Sequence, residues 1–353
     1  MSDWRLMGQA MDVARRAAGR TSPNPMVGAL VVRGGVVLAE GWTQPLGQDH
    51  AEPHALKQLR GKAEGATLYV VLEPCCHWGR TPPCTDIIVR SGISRVVVGT
   101  VDPFPLVSGR GIQALRDAGI EVLVGVREDE CKRLNRGFLK AVTHGLPEVT
   151  LKAGMSLDGR IASEAGESRW ITGPAARARA HELRDSHDAV LVGIGTVLAD
   201  DCALDTRLPG GRNAVPVVLD TWLRTPPGAK VLTAGRRPLL LCGEDAPEVD
   251  LPADIVRLPR GPGGVDLGAA LRAIAARGHH HLLVEGGATV HRALLGGNYV
   301  DRMELFVNGR VLAGGPGFAS GPGFGLSDAP SFRFVSSVPV GDDLHIVLEH
   351  LEG

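Results

Sequence analysis

The chain of 353 residues carries almost no net charge: 38 Lys and Arg stand against 39 Asp and Glu, a formal −1 at pH 7. So balanced a surface excludes the broad electropositive footprint that nucleic acid or an anionic membrane demands. It still leaves room for a local basic pocket around one phosphate. Long apolar runs are also missing, and none approaches the ~20 residues that cross a bilayer. The opening stretch MSDWRLMGQAMDVARRA lacks the basic–apolar–small order of a secretory signal. It reads as an amphipathic helix, with Leu6, Met7, Ala10, Met11, Ala14 and Ala17 on one side. Cysteine is scarce. Of Cys75, Cys76, Cys84, Cys131, Cys202 and Cys242, three crowd one short stretch and the rest are scattered. That is a distribution of ligands rather than of disulfides, and it points to a reducing, cytoplasmic setting.

What is present suits two domains, by length and by a 44% hydrophobic content that can fill sizeable cores. After the first helix, VGALVV and VVLAEG form a hairpin turning at Gly34–Gly35, and a helix begins near His50. ATLYVVL, a Pro- and Cys-rich loop, a helix from Cys84, RVVVGT, a helix near 109–118, IEVLVG and a helix across 127–143 follow. Strand–helix alternation of this kind predicts an α/β fold, a central sheet covered by helices on both faces. HGLPEVT, with Gly145 and Pro147, ends that pattern and divides the chain into domains of 1–145 and 146–353. Alternation then restarts through VTLKAG, a helix over 174–187, DAVLVG, VPVVLD, PLLLC, a helix over 266–277, HLLVEG and a helix at 287–295, with strands in DRMELFVNGRVL and DDLHIVLEH. GGPGFASGPGFG (314–325) has turn composition and no following Lys-Ser/Thr, so it is a surface loop and not a P-loop.

Two constellations carry chemistry. The first is His50-Ala51-Glu52, then Pro74-Cys75, then Cys84. One imidazole and two thiolates suit Zn2+ with a fourth position open to water, whose pKa the metal lowers. Glu52 is then free to carry a proton from water to a departing amine. This order is the zinc-deaminase signature. Eight residues separate Cys75 from Cys84, where the short form has two, and the insert CHWGRTPP adds polar and basic groups that could line a pocket. Alternatives remain at this level. Cys76 competes with Cys75, although the Pro-Cys phrase favours Cys75, and His54 lies one helical turn beyond His50, mimicking a two-histidine site. Pro53 is tolerated only at a helix start, which places His50 and Glu52 there. Cys131 reads as packing.

The second constellation is less explicit. LKAGMSLDGRIA enters a turn at Asp158–Gly159, SRWITG precedes a helix bearing Arg177, Arg179 and Arg184, and GIGTVLADDCALDTR gathers Thr196, Asp200, Asp201 and Arg207. VEGGATVHRALL runs from strand through two glycines into a helix whose first amides can meet an anion. It is not the GxGxxG fingerprint of a Rossmann fold. The His279–His281 run reads as a polar strand entry. Arg184 and Arg207 suit a terminal phosphate through charge-assisted forks. Asp200 is the candidate for proton delivery, with turn capping beside Asp201 as its bland alternative.

The phrases TSPNPMVGALVV, HAEPHAL, LEPCCHWGRTPPCTDIIV and DPFPLVSGRGIQALRDAGI resemble the deaminase domain of the bifunctional riboflavin-pathway deaminase–reductases, over about 3–145. SLDGR, GESRWITG, GTVLADD and VEGG resemble the reductase domain of the same family, over about 147–350. The resemblance implies a cytidine-deaminase-like three-layer αβα domain followed by a dihydrofolate-reductase-like α/β domain. It implies zinc at His50, Cys75 and Cys84, Glu52 as proton shuttle, and Asn24 and His77 near the substrate. For the second domain it implies NADPH near Gly154, Trp170, Thr196, Asp200, Thr221, Gly287, Ala288, Thr289, Val290, His291, Arg292 and Ala293. Substrate would lie near Ser168, Arg184, Leu204, Arg207 and Glu285. The substrate would be a phosphoribosyl pyrimidine, deaminated and then reduced from ribosyl to ribityl. The resemblance also allows a homo-oligomer. Pro53, Cys76, Phe104, Gly154 and Thr221 stand where the family usually has Val, Ser, Asn, Ala and Ser. Two rivals are a nucleic-acid base deaminase with an accessory domain and a nucleotide-binding regulatory protein with structural zinc. The long cysteine spacing and neutral charge oppose the first. The retained Glu52 and three-ligand set oppose the second.

Overall fold

The computed structural model describes residues 2–351. Its contacts divide the chain into two compact units, one ending at Leu146 and the other beginning at Pro147.

The first unit opens with α1 (Asp3–Ala14), where the Ser2 side chain accepts from the Arg5 amide at the helix start. Leu6, Met7, Ala10, Met11 and Ala14 of this helix are buried. β1 (Gly28–Arg33) and β2 (Val36–Trp42) form the expected hairpin, and both Gly34 and Gly35 adopt positive φ in its turn. There follow α2 (Ala51–Gln58), β3 (Thr67–Leu72), α3 (Cys84–Arg90), β4 (Arg95–Thr100), α4 (Arg110–Asp117), β5 (Glu121–Val124), α5 (Glu128–Leu134) and α6 (Arg136–His144). The sheet order is β2-β1-β3-β4-β5, with β1 antiparallel to both neighbours and β3, β4 and β5 parallel. Near-continuous apolar runs in β3 and β4 suit strands covered on both faces. Because β3 and β4 run parallel, the segments leaving them emerge at one edge of the sheet. Those segments are Glu73-Pro74-Cys75 and the stretch from Val101 to Gly109.

A single glycine seats α2 beside that edge. A Cβ on Gly41 would stand 2.2 Å from the Ala51 carbonyl oxygen and 2.5 Å from the Ala55 nitrogen, so any side chain at position 41 would push α2 off the sheet. The single helix expected across 127–143 is instead two. Asn135 leaves helical geometry (φ −107°, ψ 17°) and ends α5 before α6 begins.

The second unit contains β6 (Glu148–Ser156), α7 (Pro174–Ser186), β7 (Ala189–Gly193), α8 (Ile194–Asp200), β8 (Val215–Leu219), α9 (Lys230–Thr233), β9 (Leu239–Gly243), β10 (Asp254–Leu258), β11 (Arg260–Gly261), β12 (Gly264–Val265), α10 (Leu267–Ala275), β13 (His281–Val284), α11 (Ala288–Gly296), β14 (Arg302–Asn308), β15 (Phe332–Val340) and β16 (Asp343–His350). Its main sheet has the order β10-β9-β8-β7-β13-β6-β14-β16-β15. All neighbours from β10 to β14 are parallel, and only β16 and β15 are antiparallel additions. Sequence periodicity does not reveal β10, β15 or α8. β15 is exposed along most of its length and contains Pro339, so it shows neither alternation nor a continuous apolar run. Residues 314–325 form an irregular loop, as their composition predicts. Among the described residues, no helix is long and apolar enough to cross a membrane.

Candidate functional site

In the first unit, three elements converge on one point. His50 is the N-cap residue of α2, Cys75 follows β3, and Cys84 opens α3. Their ligand atoms all lie within 4.8 Å of one another. The His50 Nδ1 is 3.6 Å from the Cys75 Sγ and 3.4 Å from the Cys84 Sγ. Tetrahedral zinc with Zn–N ~2.0–2.1 Å and Zn–S ~2.3 Å needs an N···S separation of ~3.6 Å, so the donor set fits that ion as it stands. The Cys84 amide also donates to the Cys75 Sγ, at 3.4 Å. The hydrogen bond from the Cys84 thiol, opposed by burial and helped by His50, brings the Cys75 thiol down to about 4. The same interaction and burial push Cys84 upward, and the Cys75 thiolate raises His50 against the opposing effect of burial. The cluster therefore favours the thiolate of Cys75, the form of cysteine that binds metal.

Glu52 sits in the first turn of α2, two residues from His50, and is buried. Burial pushes its carboxyl up to about 7, and the Cys75 thiolate adds to the rise. A carboxyl poised near neutrality can both take and give a proton. His54 does not join the cluster. Its Nδ1 accepts from the Trp42 amide at 3.2 Å, and its ring meets Trp42 edge-on at 4.6 Å, which ties it to β2. The Cys76 Sγ lies 3.8 Å from the Leu106 carbonyl oxygen, and Cys131 is buried in the core against Gly99. The His77 ring stands 5.8 Å from Phe104. The Asn24 amide donates to the Thr21 carbonyl.

In the second unit, a cavity of about 1350 Å³ opens at the carboxyl ends of β6, β7, β8 and β13, the edge where parallel α/β sheets bind ligands. That exceeds the ~300–1,000 Å³ of a pocket for one small ligand, leaving room for a dinucleotide beside a second reactant. Its walls include Gly154, Ser168, Trp170, Thr196, Asp200, Thr221, Glu285, Gly287, Thr289, Val290, His291, Arg292 and Ala293. Ala288 is buried just behind them, in the first turn of α11. Gly286 and Gly287 adopt positive φ (140° and 87°) on entry to α11, whose first turn lines the cavity. His291 shares its Nδ1 proton with the Phe318 carbonyl at 2.7 Å, while its buried Nε2 finds no protein partner. Burial holds this imidazole down at about 4, so it is neutral at pH 7 and presents an acceptor. The loop at 314–325 is strapped to the same helix, with the Arg292 Nε 2.6 Å from the Pro322 carbonyl and its guanidinium 3.7 Å over the Phe324 ring.

Arg184, Leu204 and Arg207 are not brought to the cavity wall. The Arg184 guanidinium grips the Glu285 carboxylate at 2.5 and 2.9 Å and donates to the Asp205 carbonyl at 2.7 Å. Nε, Nη1 and Nη2 of the guanidinium thus each have one acceptor within the protein. Burial opposes ionisation of Glu285, but Arg184 and Lys152 overcome it and hold the carboxyl at about 2. Arg207 is mostly exposed, and among the described residues only its Nε is engaged, by Asp205 at 2.9 and 3.0 Å. The Asp200 carboxylate stands 3.9 Å from the Arg169 guanidinium. Sequence reasoning missed Lys152, which lines the cavity 3.6 Å from Glu285. Its spacing from Gly154 was the available signal, since residues two apart on a strand share a face.

The family described as the cytidine and deoxycytidylate deaminase zinc-binding region matches residues 1–100, and that described as the RibD C-terminal domain matches 147–346. The chain is 40% identical to the riboflavin biosynthesis protein RibD of Bacillus amyloliquefaciens, covering 96% of this chain and 94% of that one. It is 38% identical to the RibD of Escherichia coli over 98% and 100% of the two chains. Among solved structures, a diaminohydroxyphosphoribosylaminopyrimidine deaminase/5-amino-6-(5-phosphoribosylamino)uracil reductase from Thermotoga maritima superposes with a TM-score of 0.91 at 36% identity, covering 99% of each chain. Acinetobacter baumannii RibD gives 0.90 at 35% identity, with the same coverage.

Proposed function

Because the chain belongs to the RibD family of bifunctional deaminase–reductases of riboflavin biosynthesis, we propose that its two α/β domains, 1–145 and 146–353, catalyse consecutive steps on one phosphoribosyl pyrimidine. The first is hydrolytic deamination of 2,5-diamino-6-(5-phosphoribosylamino)pyrimidin-4(3H)-one, and the second is NADPH-dependent reduction of its ribosyl group to ribityl. The observation that carries the first step is the spacing of His50, Cys75 and Cys84, with Glu52 buried beside them.

His50, Cys75 and Cys84 would hold Zn2+, which when bound would lower the pKa of a water towards neutrality. Glu52 would take a proton from the attacking water and return it to the exocyclic nitrogen. A C–O bond forms, the C–N bond breaks, and ammonia leaves. The start of α2 fixes the distance between ligand and proton carrier, because His50 and Glu52 stand two residues apart at one helix end. His77 and Asn24 border the pyrimidine.

In the second domain the cavity would hold NADPH, whose chemistry when bound would be hydride supply to the imine carbon of the ring-opened ribosyl group. The amides at the start of α11 face the anionic part of the dinucleotide, and the His291 Nε2 offers it an acceptor. Gly154, Trp170, Thr196 and Thr221 complete that wall. Asp200 delivers the proton that the new amine requires, Glu285 and Ser168 orient the substrate, and Arg207 reaches its phosphate. Arg184, which also grips Glu285, joins Arg207 at that phosphate. Zinc content and ammonia release, each measured before and after chelation, test the first step. Loss of zinc without loss of ammonia release contradicts it.

A further inference from the structure

Between Cys75 and the end of β3 lies Glu73, a buried carboxylate to which the reaction assigns no role. Its Oε2 accepts from the Asp102 amide at 3.2 Å and the Gly109 amide at 2.9 Å. Its Oε1 accepts from the Gly111 amide at 2.8 Å and the Ile112 amide at 3.1 Å. Backbone donors to a carboxylate make strong, charge-assisted bonds. The start of α4 has no side-chain cap of its own, because Gly109 occupies the N-cap position at φ 83°. Glu73 supplies that cap from the segment just after β3, at a helix end where the dipole favours a negative charge. Close approach is required for this. A Cβ on Gly111 would stand 2.0 Å from the Pro74 carbonyl oxygen.

Asp102 and Gly109 are also the two ends of one excursion, Pro103 to Ser108, so a single carboxylate oxygen closes it at its base. The excursion is braced internally by the Phe104 amide on the Asp102 Oδ1 at 2.8 Å and by the Val107 amide on the Phe104 carbonyl. Its outer part lies along the residues after Cys75. The Cys76 thiol faces the Leu106 carbonyl at 3.8 Å, and the Phe104 ring stands 5.8 Å from His77.

We propose that Glu73 is a positioning residue for the deamination step, fixing the Pro103–Ser108 loop against Cys76 and His77 so that Phe104 forms one wall of the pyrimidine pocket. This rests on the deaminase reading above. Glu73 acts through the loop and does not touch the metal or the reacting atoms. Its four bonds set where the Phe104 ring stands, and that ring governs how tightly the base is held.

The test uses the full-length zinc-loaded chain. Wild-type ammonia release from the diaminopyrimidine ribosyl phosphate is measured first; its absence sinks the deaminase reading itself. Glu73→Gln keeps the size of the side chain but puts an amide NH2 against two of the four backbone donors. The expected result is a deaminase KM raised by ~10–100-fold, the scale of a misplaced positioning group, with a smaller change in kcat. Zinc stoichiometry and NADPH-dependent reduction of supplied deaminated substrate stay at the wild-type level. Amide exchange quickens at 102–112 while β3 stays protected. Loss of zinc in this variant, or fast exchange at 102–112 with KM unchanged, overturns the proposal. Phe104→Ala decides the matter independently of folding around Glu73. It should raise KM while Gly109 and Gly111 remain protected, and an unchanged KM removes Phe104 from the pocket wall and the proposal with it.

Discussion

The guanidinium of Arg184, on α7, holds both carboxylate oxygens of Glu285, at the end of β13, across 101 residues of sequence. Both side chains are largely withdrawn from water, so the pair sets the charge state at the floor of the reductase cavity. The carboxyl of Glu285 lies at about 2 where the ordinary value is 4.5. The folded chain therefore binds that proton less tightly than the unfolded chain. Its contribution, on the order of 3 kcal/mol, is complete above pH 4.5 and is lost as pH falls towards 2. Thermal unfolding of the second unit, followed from pH 7 to pH 3, should show this acid loss in the wild type. In Glu285→Gln that component should vanish. An unchanged acid limb would mean that other carboxylates govern it.

Glu52→Gln should keep zinc at the wild-type level and lose ~10²–10⁴-fold in the rate of deamination, the usual contribution of a general acid–base group. Reduction of supplied deaminated substrate should survive. Metal analysis reads the distinction: a zinc-free variant would make Glu52 a ligand or a support for one.

Cys75→Ser should deplete zinc, whereas Cys76→Ser should retain both zinc and activity, because the Cys76 thiol faces Leu106 and lies outside the ligand cluster. His54→Ala should also retain zinc, at some cost in stability, since its ring is held by Trp42 and the β2 backbone. Zinc loss on replacing His54 would restore the two-histidine alternative.

Much of the first site was legible because its signals are local. His50 and Glu52 are two residues apart, Pro53 is compatible only with a helix start, and Cys75 and Cys84 begin consecutive segments. The hairpin at Gly34–Gly35 and the alternation of strands and helices were legible for the same reason. What escaped depends on partners distant in sequence. Nothing near Glu73 announces that its oxygens meet amides 29 to 39 residues away, and nothing near Arg184 announces its pairing with Glu285. The break at Asn135 and the exposed strand β15 were hidden because neither changes the local hydrophobic pattern enough to be read.

A chain beginning at Leu146 should fold and bind NADPH without zinc, since the second unit has its own sheet and core. Within it, Arg207→Ala should weaken binding of the deaminated substrate far more than binding of NADPH, because the terminal nitrogens of Arg207 have no hydrogen bond within the described residues. Paired titrations separate the outcomes. Equal losses for both ligands would assign Arg207 to the cofactor or to the fold.

The account stands or falls on the order of the two reactions in the intact chain. Ammonia release and NADPH oxidation are followed together, starting from the diaminopyrimidine ribosyl phosphate, with and without NADPH. Ammonia should appear in both cases, and NADPH oxidation should begin only after a lag in which deaminated product accumulates. Supplying that product directly should abolish the lag. Oxidation of NADPH that precedes ammonia, or ammonia release that requires NADPH, would contradict a deamination completed at His50, Cys75, Cys84 and Glu52 before reduction begins.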